Sequence, residues 1–429
     1  MIQNQSHPIS RSLSRKFSTR LAIAGLSFAT LCGCKGEFNG PYPCETGYAS
    51  CVSPERNFCE TDITADAANC GACGNACDVG ALCVASNCLA GAQKLANFQN
   101  GSMPIIAVNS TALYGASSGQ NQIFTMPTTG GTPTIAADNV MGCGNVGLPF
   151  ALNDNHLYYW SNSFPCATGG CTTAGLVDMP IPVGTASLLV QNSQTLNIGC
   201  PSAFALDKSH VYWLGNQSGN TIVMSATLPG GNVSTLTTVL GGGSVGNELV
   251  VNRSVLLFAT TQNGPAQLQA LPLTGSPSAP TAISTQINGQ SSGFNSFVAN
   301  DSYVFVASGG CSCDNNNNSD GSLPVGRIDR FALDGSGGIN LAQFPGIAAS
   351  MDLDASYIYW STDSTVYKAP LAGGVAERIA GNLTDGAPPS QCNGCGTSNV
   401  ATVSIVADSQ YVYIADGSPN VNAILRVRK

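Results

Sequence analysis

The chain has 429 residues, with 16 Lys or Arg against 24 Asp or Glu, so charged side chains make up 9% and the net charge is −8. Soluble proteins ordinarily carry roughly a quarter charged residues. The low value excludes a long coiled coil and a charge-driven disordered chain and argues against a helix-rich enzyme, whose helical surfaces need many charges; the acidic balance excludes a nucleic-acid binder held by phosphate contacts.

Taken from the N-terminus, the chain first states a compartment. Arg11, Arg15, Lys16 and Arg20 precede an apolar run from Leu21 to Leu31, with no acid before it. The run is too short to span a bilayer as a helix and has the size of a signal-peptide core. It ends in Leu31-Cys32-Gly33-Cys34, which resembles the bacterial lipoprotein lipobox, Leu-x-Gly-Cys. The resemblance implies cleavage after Gly33 and lipidation of Cys34. Residues 1–33 are then a lipoprotein signal peptide and 34–43 a lipidated tether. The expected location is the cell envelope, at the outer membrane or cell surface of a Gram-negative bacterium, with the lipid as the attachment to the membrane.

Residues 44–90 hold Cys44, Cys51, Cys59, Cys70, Cys73, Cys77, Cys83 and Cys88. So short a stretch cannot build a sufficient apolar core, and in an exported chain disulfides replace one. Cys70-x-x-Cys73 has zinc-like spacing, but the compartment favours disulfides. Eight cysteines allow 105 pairings, and sequence does not choose among them. The run from Asn69 to Cys77, followed by Gly80, Cys83 and Cys88, resembles the Stig1-type cysteine-rich module, which implies an extracellular structural or adhesive unit.

From about residue 100 the chain repeats. Asn109, Asn153, Asp207, Asn252, Asn300, Asp354 and Asp408 each follow an apolar stretch, and five residues later come Tyr114, Tyr158, Tyr212, Leu257, Phe305, Tyr359 and Tyr413. Asx side chains favour tight turns by accepting from nearby amides, and the aromatic runs after them suit pleated strands. A third run follows in each unit, as at Ile123–Pro127, and often a Gly-Gly turn with a fourth run, as at Glu377–Ala380. Four short strands per repeat of about 50 residues mark a β-propeller blade. A β-sandwich would not repeat in one register, and a solenoid would not carry four strands per unit. The seventh unit stops after its third strand, and Gly91–Phe98 matches the missing fourth. The fold class is therefore all-β: a seven-bladed β-propeller of four-stranded blades spanning 91–429, with 91–100 closing the last blade, preceded by a small disulfide-rich module. The Tyr-Trp strand motifs, as at Tyr212-Trp213 and Tyr359-Trp360, resemble YWTD, NHL and related lipoprotein-receptor-like propellers.

In such a blade the first-to-second and third-to-fourth turns share one face. The long insertions at 139–147, 161–175, 308–326 and 383–398 all fall on the other, with Cys143, Cys166, Cys171, Cys200, Cys311, Cys313, Cys392 and Cys395. The expected pairs there are Cys166–Cys171, Cys311–Cys313, Cys392–Cys395 and Cys143–Cys200. The module and its anchor are expected to leave from the short-turn face, so that the loop-rich face looks away from the membrane.

Catalytic patterns are nearly absent. Two G-x-S-x-G matches, at Gly115–Gly119 and Gly242–Gly246, lack the strand–turn–helix setting and a His partner. The segment Asp314 to Gly321 resembles the first half of a calcium loop, with Asp314, Asn316, Asn318 and Asp320 as ligands, but no Glu closes it; a solvated polar loop is the alternative. The expected function is a monomeric, surface-anchored, non-catalytic propeller that binds an extracellular protein or glycan through its disulfide-stapled loops, with no nucleic acid and no cofactor beyond a possible calcium ion. The competing expectation is a propeller lyase or hydrolase using carboxylates around the central channel.

Overall fold

In the computed structural model, residues 44–429 are described except 52–58, 60, 78–80, 85, 90–91, 98–104, 118–119, 142–147, 166–171, 183, 193–200, 218–219, 240–247, 261–266, 275–278, 284–293, 310–324, 363–364, 382–402 and 417–422. The chain forms seven four-stranded antiparallel sheets, each a meander in chain order except the last. Blade one is Ile105–Val108, Ala112–Ser117, Gln122–Pro127 and Thr134–Ala137. Blades two to six begin at Phe150, Ala203, Leu249, Phe294 and Ser350. Blade seven takes Val403–Ala407, Tyr411–Asp416 and Ala423–Arg428 from the C-terminal end of the chain, and Ala92–Asn97 as its outer strand. That strand pairs antiparallel with Ala423–Arg428, with Ala92 opposite Val427 and Asn97 opposite Ala423. The sheet edge left by the third strand is thereby covered.

The first strand of every blade contacts the first strand of the next, and the seventh returns to the first. First strands are therefore innermost and fourth strands outermost. Between blades, side chains from the two second strands interdigitate. Tyr158 and Trp160 of blade two pack on Val211 and Trp213 of blade three, and Phe305 and Ala307 of blade five pack on Ile358 and Trp360 of blade six. The seven blade interfaces thus divide the core into repeated layers, which is why low charge and regularly spaced aromatic runs accompany this fold.

Outer turns follow the same logic. Gly231, at φ +69°, closes the third-to-fourth turn of blade three, and an added Cβ would lie 2.4 Å from the Leu189 carbonyl in the outer strand of blade two. Only glycine allows both the turn and this approach.

The second-to-third insertion of blade two is shorter than sequence suggests. Its flanks form one extended hairpin, His156–Pro165 against Thr172–Pro180, with Phe164 opposite Thr173 after a register shift. Phe164 and Thr173 therefore belong to the ladder.

In the N-terminal stretch the disulfides are Cys44–Cys59, Cys51–Cys73, Cys70–Cys83 and Cys77–Cys88. Their Cα separations of 5.1–5.5 Å are ordinary for such bonds. The zinc-like pair is thus split between two bridges. Among the described residues the apolar core of this stretch is Ala67, Cys70, Cys77, Ala81 and Cys83; cross-links do the work that a larger core would do elsewhere.

Candidate functional site at the loop-bearing end

The two ends of the propeller are built differently. At one end, each first-to-second turn is a hairpin closed by its Asx side chain. The Oδ1 of Asn109, Asn153, Asp207, Asn252, Asn300, Asp354 and Asp408 accepts from the backbone N–H groups two and three residues on, at 2.6–3.0 Å in all seven blades. Where the residue is Asp, its second oxygen is also used. The hydroxyls of Tyr212, Tyr359 and Tyr413 donate to Asp207, Asp354 and Asp408 at 2.7, 2.9 and 2.7 Å. The constant five-residue offset in the sequence is thus a bond in three blades and a packing position in the rest. Burial opposes ionisation of Asp354, but Lys429 at 2.5 Å, two backbone N–H groups and the Tyr359 hydroxyl overcome it and hold the carboxyl at about 2. His156, at the start of the second strand of blade two, pairs through Nδ1 with Asp178 at 2.6 Å. Each of these turn-end groups is committed to the fold.

The opposite end carries the second-to-third and blade-to-blade connections. These include the sequence intervals between Gly309 and Val325 and between Ala380 and Val403, far longer than the three residues of each first-to-second turn. Long connections on one side of a rigid scaffold are where ligands are usually met. Cys34, the calcium-loop residues Asp314, Asn316, Asn318 and Asp320, and the cysteines Cys143, Cys166, Cys171, Cys200, Cys311, Cys313, Cys392 and Cys395 lie outside the described residues.

Three polar features of the described residues escaped the sequence. The first two are carboxylates on or next to the innermost strands. Glu248 stands just before the first strand of blade four and reaches blade five, accepting from Ser296 Oγ at 2.6 Å and Phe297 N at 2.7 Å. Asp352, in the first strand of blade six, reaches blade seven and accepts from Ala407 N at 2.7 Å. Ser350, two residues earlier, accepts from Ile405 N at 3.2 Å. Each first strand has an edge toward the axis, and these side chains accept from backbone amides of the next blade's first strand. Burial pushes the Glu248 carboxyl up to about 7 against the pull of its two bonds. It likewise lifts Asp352 to about 6 against the Ala407 and Leu353 amides and Lys429. The third feature lies in blade five, near the loop end. Arg327 Nε bonds Asp329 Oδ2 at 2.8 Å and Ser308 Oγ at 3.2 Å, and Asn340 donates to the other oxygen of Asp329 at 2.9 Å. A single Glu or Asp in an apolar strand carries no motif; only the register that places it against the next blade reveals its role.

The cysteine-rich stretch also reaches the far end of the ring. The ring-closing strand does begin at the short-turn end, because Ala92 faces Val427 near the end of the third strand. The module nevertheless does not simply project from there. Gly381, at the loop-end terminus of the outer strand of blade six, is buried, and an added Cβ would come within 2.8 Å of Leu82 Cδ2 and 3.6 Å of the Ala81 carbonyl. The hairpin of the module therefore touches the rim at the loop-bearing side.

No family model and no curated protein matches the chain. Solved structures do. An oligogalacturonate lyase in complex with manganese is 13% identical, with a TM-score of 0.50, over 74% of this chain and 85% of that one. The extracellular domain of a hybrid two-component system from B. thetaiotaomicron is 11% identical, with a TM-score of 0.48, over 79% of this chain. This chain spans only 40% of that protein's length. An oligogalacturonate lyase from Vibrio parahaemolyticus is 11% identical, with a TM-score of 0.47, over 77% of this chain and 92% of that one. At these identities the likeness is one of fold alone, and a fold by itself does not assign a function.

Proposed function

We propose that this chain is a surface-anchored, non-catalytic propeller lipoprotein that binds an extracellular protein or glycan through its loop-bearing end. The observation that carries the reading is the asymmetry of the two ends. One is closed by seven side-chain-capped hairpins, while the other collects the long connections. Four disulfides before the propeller fit an oxidising compartment outside the cytoplasm. Among the described residues no helix is long and apolar enough to cross a membrane, so membrane attachment in this reading falls to Cys34. Calcium at Asp314, Asn316, Asn318 and Asp320 belongs to the same proposal as an ordering ion for one loop.

The test has two arms. Metabolic labelling with a fatty-acid probe should mark the native chain and not a Cys34→Ala variant; equal labelling of both removes the anchor. Binding of the purified chain to envelope polysaccharide and to surface-protein fractions should be lost when residues 310–324 and 382–402 are replaced by Gly-Ser linkers. Undiminished binding by that variant would move the site elsewhere.

A second reading, a propeller lyase or hydrolase, draws on the raised carboxyls of Glu248 and Asp352, since raised carboxyls on inner strands are candidate acids. Against it, each of these groups is bonded to the backbone of the next blade, and blade five stands between their own blades. Turnover of an acidic polysaccharide that vanished in Glu248→Gln or Asp352→Asn would favour the enzyme.

A further inference from the structure

Two of the four disulfides are neighbours. The Sγ atoms of Cys70, Cys77 and Cys88 all lie within 4.8 Å of one another, although Cys70 is bonded to Cys83 and Cys77 to Cys88. Cys83 and Cys88 are directly opposed across the small hairpin Leu82–Val84 and Asn87–Leu89. Two residues close that hairpin, so Val84 and Asn87 form its hydrogen-bonded end pair and Cys83 with Cys88 the next, non-hydrogen-bonded one. Residues so opposed have Cα atoms about 4.5 Å apart, inside the range a disulfide spans. Of the four cysteines, Cys88 is exposed while Cys70, Cys77 and Cys83 are buried.

We propose that these four cysteines form a disulfide switch with a second pairing, Cys70–Cys77 with Cys83–Cys88, reached by thiol exchange entering at Cys88. The trigger is a small-molecule or protein thiol. Its thiolate bonds to the Cys88 sulfur, the Cys77–Cys88 bond breaks, and the electron pair leaves on Cys77. The Cys77 thiolate then bonds to Cys70, the Cys70–Cys83 bond breaks, and the pair leaves on Cys83. Cys83 attacks Cys88 across the hairpin and expels the original thiolate. Two disulfides enter and two leave, so the thiol is catalytic and nothing is oxidised or reduced overall.

The consequence is mechanical. In the observed pairing both bridges fasten the hairpin to the segment that holds Cys70 and Cys77. In the alternative pairing each bridge is local: one closes the Cys70–Cys77 segment on itself, the other staples the hairpin to itself. The hairpin then has no cross-link to the earlier part of the module and is held to it by the chain itself, the Ser86 N–H bond to the Thr64 carbonyl and the small cluster around Ala67 and Ala81. It carries Leu82, which abuts Gly381 on the propeller rim, and it leads to the ring-closing strand at Ala92. Exchange would therefore remove the covalent coupling between the first half of the module and the propeller without breaking the chain, and leave only the weaker contacts. The proposal does not depend on which ligand the propeller binds.

The test is non-reducing digestion and mass spectrometry of the full chain after incubation with reduced and oxidised glutathione. Peptides linked through Cys70–Cys77 and Cys83–Cys88 should appear only with thiol present. They should form several-fold faster at pH 8 than at pH 7, because the thiolate is the attacking species. In a Cys88→Ser variant, Cys77 should exchange with Cys70, so that alkylation divides between Cys77 and Cys83. The proposal fails if the native chain forms a glutathione adduct at Cys88 yet shows only the original pairs. It fails equally if the variant is alkylated at Cys77 alone.

Discussion

Replacing Glu248 by Gln should make the protein more stable at pH 8 and leave it nearly unchanged at pH 4.5. In the native chain the carboxyl accepts from Ser296 Oγ and Phe297 N, and burial raises it from an ordinary 4.5 to about 7. A carboxyl raised on folding favours the folded state most when protonated. Its contribution is fully present below about pH 4.5, declines as pH rises toward 7 and is level above that. At about 1.4 kcal/mol per decade the loss is at most about 3 kcal/mol, and less to the extent that water at the partly exposed residue screens the charge. Gln never ionises, and it can keep both bonds: Oε1 accepts from Phe297 N while Nε2 donates to the Ser296 hydroxyl, which reverses its role. Tryptophan-fluorescence urea melts of native and variant chains at pH 4.5, 6 and 8 read the difference directly. Glu248→Leu supplies the contrast, because it leaves the Phe297 amide uncapped and should cost about 1–3 kcal/mol even at pH 4.5. Parallel pH profiles for native and Gln chains would refute the assignment of a buried, titrating cap.

Four further outcomes follow from the same contacts. Tyr212→Phe removes the hydroxyl bond to Asp207 and should cost about 1 kcal/mol in urea melts, while Phe305→Tyr, in a blade whose turn residue is Asn300, should gain nothing comparable. Against burial, Lys429 joins two backbone N–H groups and the Tyr359 hydroxyl in holding the Asp354 carboxyl at about 2. Together they contribute at most about 2 kcal/mol, less where water screens the charge; this is present above pH 4 and lost as pH falls toward 2, so Lys429→Met should remove part of it at pH 7 and little at pH 2. Leu95→Ala empties a buried site where the ring-closing strand meets blade one; a loss of about 2–4 kcal/mol is expected from chemical denaturation. Gly381→Val drives a side chain into Leu82 and should speed proteolysis within 78–91 at least fivefold, and a second change, Leu82→Ala, should restore resistance.

Much of the architecture was legible because it repeats. One Asx turn with an aromatic five residues later is a weak local signal, but seven copies in one register turn it into a count of blades. The missing fourth strand was legible for a similar reason: a repeat that ends early predicts its complement, and the structure pairs Ala92–Asn97 with Ala423–Arg428. The inner caps were not legible. Glu248 and Asp352 act on amides of the following blade, 49 and 55 residues away in sequence. Nothing in the residues around Glu248 distinguishes it from a surface carboxylate, and only blade-against-blade packing takes its carboxyl out of water. The disulfide pairing was open on equal terms, since eight closely spaced cysteines lose nothing in sequence by any of their pairings.

The division is therefore between local and global physics. By itself the sequence determined the strand turns, the number of blades and the end of the ring on which long connections gather, because these depend on hydrogen bonds made within a few residues and on a repeat length. Tertiary structure decided which cysteines bond, which carboxyls burial pushes upward, and where the module touches the rim. Those outcomes depend on the distance between groups far apart in the chain and on the water excluded between them, and neither quantity exists until the blades close.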